Sequence, residues 1–503
     1  MLGRISATVI DAVSIIIIAR FLGSTTYGQY TIAMIPITFA QIFTDLGVRN
    51  GLIKYIAQFR SENKLGNVSN LIKMAFLINT SIGILLTIIT YFFASYIAGN
   101  VFNQPDITIF IQIASINLVA TSIFRTANGV MIGFERMDYL SIMIIIQSIF
   151  KGFLTPILVY IGFGALGAIV GYTAALTLAA LIGLLAVLYF LRSASQYETT
   201  MNFNDAGNLL FSYGIPIFIS IILSGLLPQV LNLMMGLYIN PTEIGNYRAA
   251  LNFNVLITFL TVPISTVLFP LFSKIDIKEK NRLKIIFQNA VKYISLLTIP
   301  LVFGLILLSE PIVNIIYGTN YSLTAKFLQL NCITFLPILF GAQVTGSVLL
   351  GQGKTKVIMK SSTLSLCVGI ILGWYLIPRF GISGLILTNI LNQGVIIHNL
   401  YWIKKNLEFT FDYKISAKIF LSASISFFTT YFLFTIIPLQ GWTKILLAGG
   451  SFILTYLFMI LKTKTLNLED IKNLKQILGS VGPLTPIFNI FLDFFEKNLT
   501  SNP

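Results

Sequence analysis

Charge is scarce in this 503-residue chain: only 10% of its residues are Asp, Glu, Lys or Arg, against 56% that are hydrophobic. A soluble domain carries about 25% charge, so too little polar surface exists to cover a water-soluble core. Cysteine is nearly absent. Cys332 and Cys367 both lie in apolar segments, and no disulfide framework is implied. Histidine occurs once, as His398, which leaves no histidine cluster for a metal. No nucleotide-binding motif and no long extramembrane segment appear, so no cofactor and no large outer catalytic module are expected. Acidic residues are outnumbered 18 to 33 by Lys and Arg, giving a net charge of +15. That balance can mark a nucleic-acid partner. In an apolar chain it has another source, because Lys and Arg collect on cytoplasmic loops, and nucleic acid is not expected as a partner. Asp11 interrupts the first apolar run and no small-residue cleavage site follows it, so no cleavable signal peptide is expected.

What the chain has instead is apolar runs. A crossing helix needs roughly 20 mostly apolar residues, and this rule predicts an all-α polytopic membrane protein with fourteen transmembrane helices. Their limits are 3–19, 28–48, 71–98, 107–132, 138–161, 166–191, 209–238, 247–272, 286–308, 324–350, 357–377, 383–402, 415–437 and 443–461. Alternate connections carry the basic residues: Arg49, Lys54, Arg60 and Lys64, then Arg136, then Lys274 to Lys284, then Lys354 and Lys356, then Lys404, Lys405 and Lys414. The connections between them are nearly bare, and "AGNVFNQPD" and "GFGALG" have no Lys or Arg. Both termini are therefore predicted on the cytoplasmic side of the cell membrane.

Short sequences recur at a fixed distance. "YGQY" at Tyr27 returns as "IGNY" at Ile244, 217 residues later, and "GALGA" at Gly164 returns as "GISGL" at Gly381, again 217 later. "GFER" at Gly133 and "GQGK" at Gly351 are 218 apart. Six spans per repeat is an even number, which predicts parallel halves related by an axis along the membrane normal, with a substrate path at their interface. The expected divisions are a six-helix lobe over 1–205, a second over 206–408, two extra helices over 409–463, and an amphipathic tail over 464–503. In the tail Leu468, Ile471, Leu474 and Leu478 share one face, and Thr485 and Pro486 open a further interfacial helix.

The stretch "ARFLGSTTYGQY" followed by "FTDLGVRNGLIKYIAQFR" resembles the start of the polysaccharide transporter family, a branch of the multidrug/oligosaccharidyl-lipid/polysaccharide flippase superfamily. In the second half "SYGIPIFIS", "LMMGLYINPTEIGNYRAA", "VPISTVLFPLFSK" and "LLGQGK" resemble it too. The resemblance covers nearly all of the first 410 residues. It implies two six-helix lobes around a central cavity and translocation of a lipid-linked oligosaccharide, its pyrophosphate passing through the cavity and its tail in the bilayer. Membrane lipids and glycan-assembly enzymes are the partners it implies. The chain departs from many relatives at Asn232, where they carry an acid.

Charges within spans are costly, about 2.5–3.5 kcal/mol each on insertion scales, and so point to a cavity or a partner. The substrate-binding candidates are Arg20, Arg49, Lys151 and Arg248. Lys151 lies near the middle of the fifth span, with Gln147 one turn before it, and is either a cavity cation or the partner of Asp11. Arg20, at the outer end of the first span, either meets phosphate or snorkels to the interface. The related lipid II flippases use cavity arginines in the first helices and at the start of the eighth, which the resemblance extends to Arg20 and Arg248. Arg248 follows Asn240-Pro241-Thr242-Glu243, read as an N-cap, a proline at N1 and an acid at N3. Arg49 either pairs with Asp45 four residues away or first meets substrate at the cytoplasmic end. Arg125, about two turns from that end, is explained by snorkelling. Asp11 is either an ion-coupling site or a charge partner. Gly214, Pro216, Gly225 and Pro228 mark the seventh helix as the one expected to bend. Two rival readings stay open: a drug/cation antiporter of the same superfamily, which needs a free buried acid, and a membrane glycosyltransferase or polymerase, which needs acidic motifs and a long outer loop.

Overall fold

The computed structural model describes residues 2–194, 196–437, 441–466 and 470. Among them the regular structure is helix, with no strand. This is the expected outcome in a bilayer, where each backbone amide must be satisfied within its own segment. Most of the predicted tail lies outside the described residues.

Fourteen crossings are accounted for, several fused end to end. Ala7–Ser61, Met137–Arg192 and Thr355–Leu407 are apolar stretches of 55, 56 and 53 residues, each long enough for two crossings. Each is broken by glycine at positive φ: Gly23 at 72°, Gly162 and Gly164 at 109° and 53°, and Gly381 at 54°. Gly164 and Gly381 also share their ψ, −137° and −133°. The two "G-x-x-G" repeats thus fold into the same unusual turn, open to glycine and strained for any side chain. The pair Thr324–Phe340 and Ala342–Gly351 meets at a 47° bend at Gly341 and serves as one crossing.

One connection differs from expectation. The second span ends early: helix Leu2–Ala40 passes into a short 3₁₀ turn, Gln41–Thr44, and then breaks at Asp45. A separate helix, Val48–Ser61, occupies what reads in the sequence as a basic loop. Its Val48, Leu52 and Ile56 fall at helical spacing and are fully buried against Leu71, Ala127, Val130 and Leu210. The charges Arg49, Lys54 and Arg60 hide this stripe from a hydropathy reading.

The chain divides into two compact units. The first holds the chain up to Asn252 together with Ile316–Phe327 and Met359–Asn392. The second holds Phe253–Ile315, Leu328–Ile358 and the described residues from Gln393 on. Within the second, helices Tyr413–Ile436 and Gly441–Lys462 pack on helix Lys280–Tyr317 through Ile299, Ile419, Ala423, Tyr456 and Ile460.

Candidate functional site

Helix Thr108–Gly133 carries Arg125 inward rather than toward an interface. Its guanidinium donates to the Gln41 carbonyl at 3.1 Å and to Thr44 Oγ1 at 3.3 Å. The reason lies in the break after Ala40. A 3₁₀ turn followed by extended backbone frees carbonyls that a continuous helix would satisfy, and a buried carbonyl needs a donor. Arg125 supplies it. The snorkelling read from the sequence is thus corrected.

Arg49 lies in the first turn of Val48–Ser61. The local ion pair with Asp45 does not form. Asp45 Oδ1 instead accepts the backbone N–H of Arg49 at 3.1 Å. Asp45 sits in extended geometry outside the helix, so the i,i+4 relation that would join the two side chains does not exist. Gly129 lets Arg49 approach helix Thr108–Gly133, since a Cβ there would lie 3.1 Å from Arg49 Cγ.

Arg49 and Arg125 together line a cavity of about 320 Å³ whose other walls are Gln41, Thr121, Phe124, Asn128, Gln147, Tyr172 and Leu176. No carboxylate lines it. Arg49 Nε and Asn128 Oδ1 are buried without a hydrogen-bond partner. A desolvated guanidinium with an unused donor suits a phosphate or carboxylate oxygen, which a planar fork can hold at two points. Gln147, noted beside Lys151 in the sequence, reaches this cavity. Arg125 was missed as a lining residue because sequence distance to a helix end says nothing of which way a side chain turns.

Lys151 lies beside that cavity. Its ammonium pairs with Asp11 Oδ1 at 3.0 Å, while Ser148 Oγ donates to Asp11 Oδ2 at 3.3 Å. The ammonium also sits 5.7 Å from the ring centroid of Tyr172, a cavity wall. The structure thus brings Asp11 and Lys151 together, and Tyr172 links the pair to the two arginines.

Arg248 occupies the last turn of helix Pro241–Leu251, whose start matches the sequence reading. Asn240 Oδ1 accepts the Glu243 amide at 2.9 Å, Asn240 Nδ2 donates to Glu243 Oε1 at 3.1 Å, and Pro241 stands at N1. Arg248 donates to Asn232 Oδ1 at 2.8 Å, and its Nε is buried without a hydrogen-bond partner. The side chain that accepts from Arg248 is thus a neutral amide, Asn232. Arg20 is exposed, three residues before the break at Gly23, and stands apart from the Arg49–Arg125 cavity. His398 lies on helix Ile396–Leu407, and no group of metal-binding side chains exists among the described residues.

A chain of this architecture, with an arginine-lined cavity among its membrane helices, is a multi-pass membrane protein with a transporter fold. The fold is shared with the lipid II flippase MurJ in its inward closed conformation: TM-score 0.73 at 18% identity, covering 91% of this chain and 97% of that one. By sequence, the chain belongs to the polysaccharide biosynthesis protein family, whose match spans residues 17–326. Among its relatives are the lipopolysaccharide biosynthesis protein WzxC of Escherichia coli K12 and a putative O-antigen transporter of Shigella dysenteriae. The first is 25% identical over 396 residues, which are 76% of this chain and 75% of WzxC. The second is 23% identical over 288 residues, 57% of this chain and 70% of the relative.

Proposed function

We propose that the protein translocates a lipid-linked oligosaccharide or polysaccharide precursor across the cytoplasmic membrane. The observation that carries this reading is the cavity lined by Arg49 and Arg125 with no carboxylate in its wall. A diphosphate entering a low-dielectric space loses hydration, and fixed guanidinium groups offset that loss. That one relative is a lipopolysaccharide biosynthesis protein and another a putative O-antigen transporter supports the substrate class. Arg20, Arg49, Lys151 and Arg248 form the cationic path, joined by Arg125. Asp11 serves as the counter-ion of Lys151 until substrate competes for it.

Both termini face the cytoplasm, and the two six-helix lobes alternate access by moving about the path between them. The protein catalyses no covalent step. Its drive comes from an ion gradient or from consumption of the product by glycan-assembly enzymes outside. The antiporter reading needs a free acid, and Asp11 is engaged by Lys151.

The test is transfer of a polyprenyl-pyrophosphate-linked oligosaccharide, labelled on the sugar, across vesicles holding the purified protein. Protein-dependent transfer is expected. Transfer no faster than in empty vesicles, alongside protein-dependent efflux of an organic cation, would replace this reading with the antiporter.

A further inference from the structure

Basic residues are compensated differently in the two compact units. On the first, Arg60, Lys64 and Arg136 each pair with a nearby acid, and Lys54 lies over the rings of Tyr55 and Tyr213. On the second, one group of lysines gathers where helix Ile396–Leu407 turns into helix Tyr413–Ile436. Lys404 and Lys405 lie in the last turn of the first helix and Lys414 in the first turn of the second, all three exposed. Lys284 joins them from helix Lys280–Tyr317. Its neighbours four residues away on either side both touch the turn: Lys280 pairs with Glu408, and Gln288 donates to the Thr410 carbonyl at 2.8 Å. Residues four apart share a helix face, so the exposed Lys284 runs along the turn as well. Phe287 and Phe409 hold the pieces together, buried with their ring centroids 5.5 Å apart.

The turn has two acids, and both are engaged. Glu408 is taken by Lys280, and Asp412 Oδ1 accepts the backbone N–H groups of Lys414 and Ile415 as the cap of its helix. Lys284, Lys404, Lys405 and Lys414 form no ion pair among the described residues. The C-terminal end of a helix favours Lys404 and Lys405, but Lys414 stands at the opposite end of its own helix. The general bias of Lys and Arg toward one side of a membrane applies to both units and does not account for the difference in pairing. Like charges crowded on one short turn repel each other, and an anion from outside relieves the repulsion.

The surface beside the lysines selects the kind of anion. Along helix Ile396–Leu407 the exposed residues run from Ile397 through Tyr401 to Lys404 and Lys405. Along helix Tyr413–Ile436 the order reverses, from Tyr413 and Lys414 to Leu421 and Phe428. Apolar, then aromatic, then cationic is the profile of a surface that passes from acyl chains to head groups. A soluble anion would use the charge alone. An anion carrying acyl chains uses the whole strip.

We infer that this turn binds an anionic phospholipid, its phosphate among Lys284, Lys404, Lys405 and Lys414 and its chains along Ile397 and Leu421. The inference does not rest on the transport reading.

The test titrates the delipidated full chain, in neutral detergent, with phosphatidylglycerol or with phosphatidylcholine of the same acyl chains. Native mass spectrometry reads the retained lipid, and the melting temperature is followed in parallel. Phosphatidylglycerol is expected to be retained and to raise the melting temperature, and phosphatidylcholine to do neither. The Lys404→Gln, Lys405→Gln, Lys414→Gln variant should bind phosphatidylglycerol about fivefold more weakly for each charge removed. The same three positions changed to Arg should bind like the wild type, which separates loss of charge from loss of fold. Removing three charges from the first unit, by Lys54→Gln, Lys64→Gln and Lys73→Gln, should leave binding unchanged. Equal retention of the two lipids by the wild type, or equal weakening in the two glutamine variants, would overturn the site. Retention of a polyprenyl pyrophosphate in preference to phosphatidylglycerol would give the lysines to the substrate and overturn it as well.

Discussion

Among the described residues two ion pairs lie within the helical bulk, and they differ in how far they are enclosed. In the first compact unit Lys151 meets Asp11 with side chains 21% and 40% exposed. In the second, Lys292 meets Asp470 with side chains 7% and 6% exposed, and Tyr293 donates its hydroxyl to the same carboxylate at 2.9 Å. The first pair borders a cavity, through Tyr172. The second is sealed, on the helix that Tyr413–Ile436 and Gly441–Lys462 pack against. A sealed pair has no path for exchange and fixes position. An accessible pair can trade one partner for a ligand at little cost. The same two residue types thus fix Asp470 against helix Lys280–Tyr317 at one site and, on the proposed reading, exchange a partner for an anion at the other.

The largest effect expected from this contrast is on stability in the second unit. Removing one member of a buried pair leaves an uncompensated charge and costs about 3–5 kcal/mol. Asp470→Asn and Lys292→Met should each lower the melting temperature of the detergent-purified protein strongly, and the double variant should recover most of the loss. A double variant no better than the worse single one would show that the pair is not a unit.

This sealed pair is also what the sequence hides best. Lys292 falls inside the ninth predicted span and Asp470 beyond the last, 178 residues away, and no local spacing joins them. The fourteen crossings were legible because apolar length is a local property. The capping box before Arg248 was legible for the same reason. The recurrence of "GALGA" as "GISGL" was legible only as a repeat, and the turn that Gly164 and Gly381 share emerged from the backbone. Helix Val48–Ser61 was not legible, since Arg49, Lys54 and Arg60 mask its buried stripe. The Asp11–Lys151 pair was one of two readings, and only packing chose it. Arg125 was misplaced because its direction depends on carbonyls freed by a break 81 to 84 residues earlier in the chain.

Next in size are the cavity arginines. A charge-assisted hydrogen bond contributes about 1.5–3 kcal/mol, so Arg49→Ala should slow transfer of a pyrophosphate-linked sugar about tenfold or more while leaving thermal stability nearly unchanged. Arg125→Gln should slow transfer and also destabilise modestly, because Gln41 and Thr44 lose their donor. Arg125→Lys should restore part of both. Equal stability in Arg49→Ala and Arg125→Gln would separate Arg125 from the helix break.

The Asp11–Lys151 pair should matter to transport and little to folding. Lys151→Ala is expected to abolish flipping in a folded, inserted protein, and Lys151→Arg to keep part of the activity. Because the pair is less enclosed than its sealed counterpart, with side chains 21% and 40% exposed, its loss should cost less stability. A large fall in melting temperature in Lys151→Ala, rescued by Asp11→Asn, would make the two pairs alike and erase the contrast.

The central claim is that fixed cations carry an anionic head group through the membrane. Vesicles holding the wild-type protein can be offered one labelled sugar on two carriers, a polyprenyl pyrophosphate and an uncharged polyprenyl ether of the same length. The account predicts protein-dependent transfer of the pyrophosphate-linked sugar alone, lost in the Arg49→Ala, Arg125→Gln double variant. Equal transfer from both carriers, or transfer of the pyrophosphate form undiminished in that variant, would contradict it.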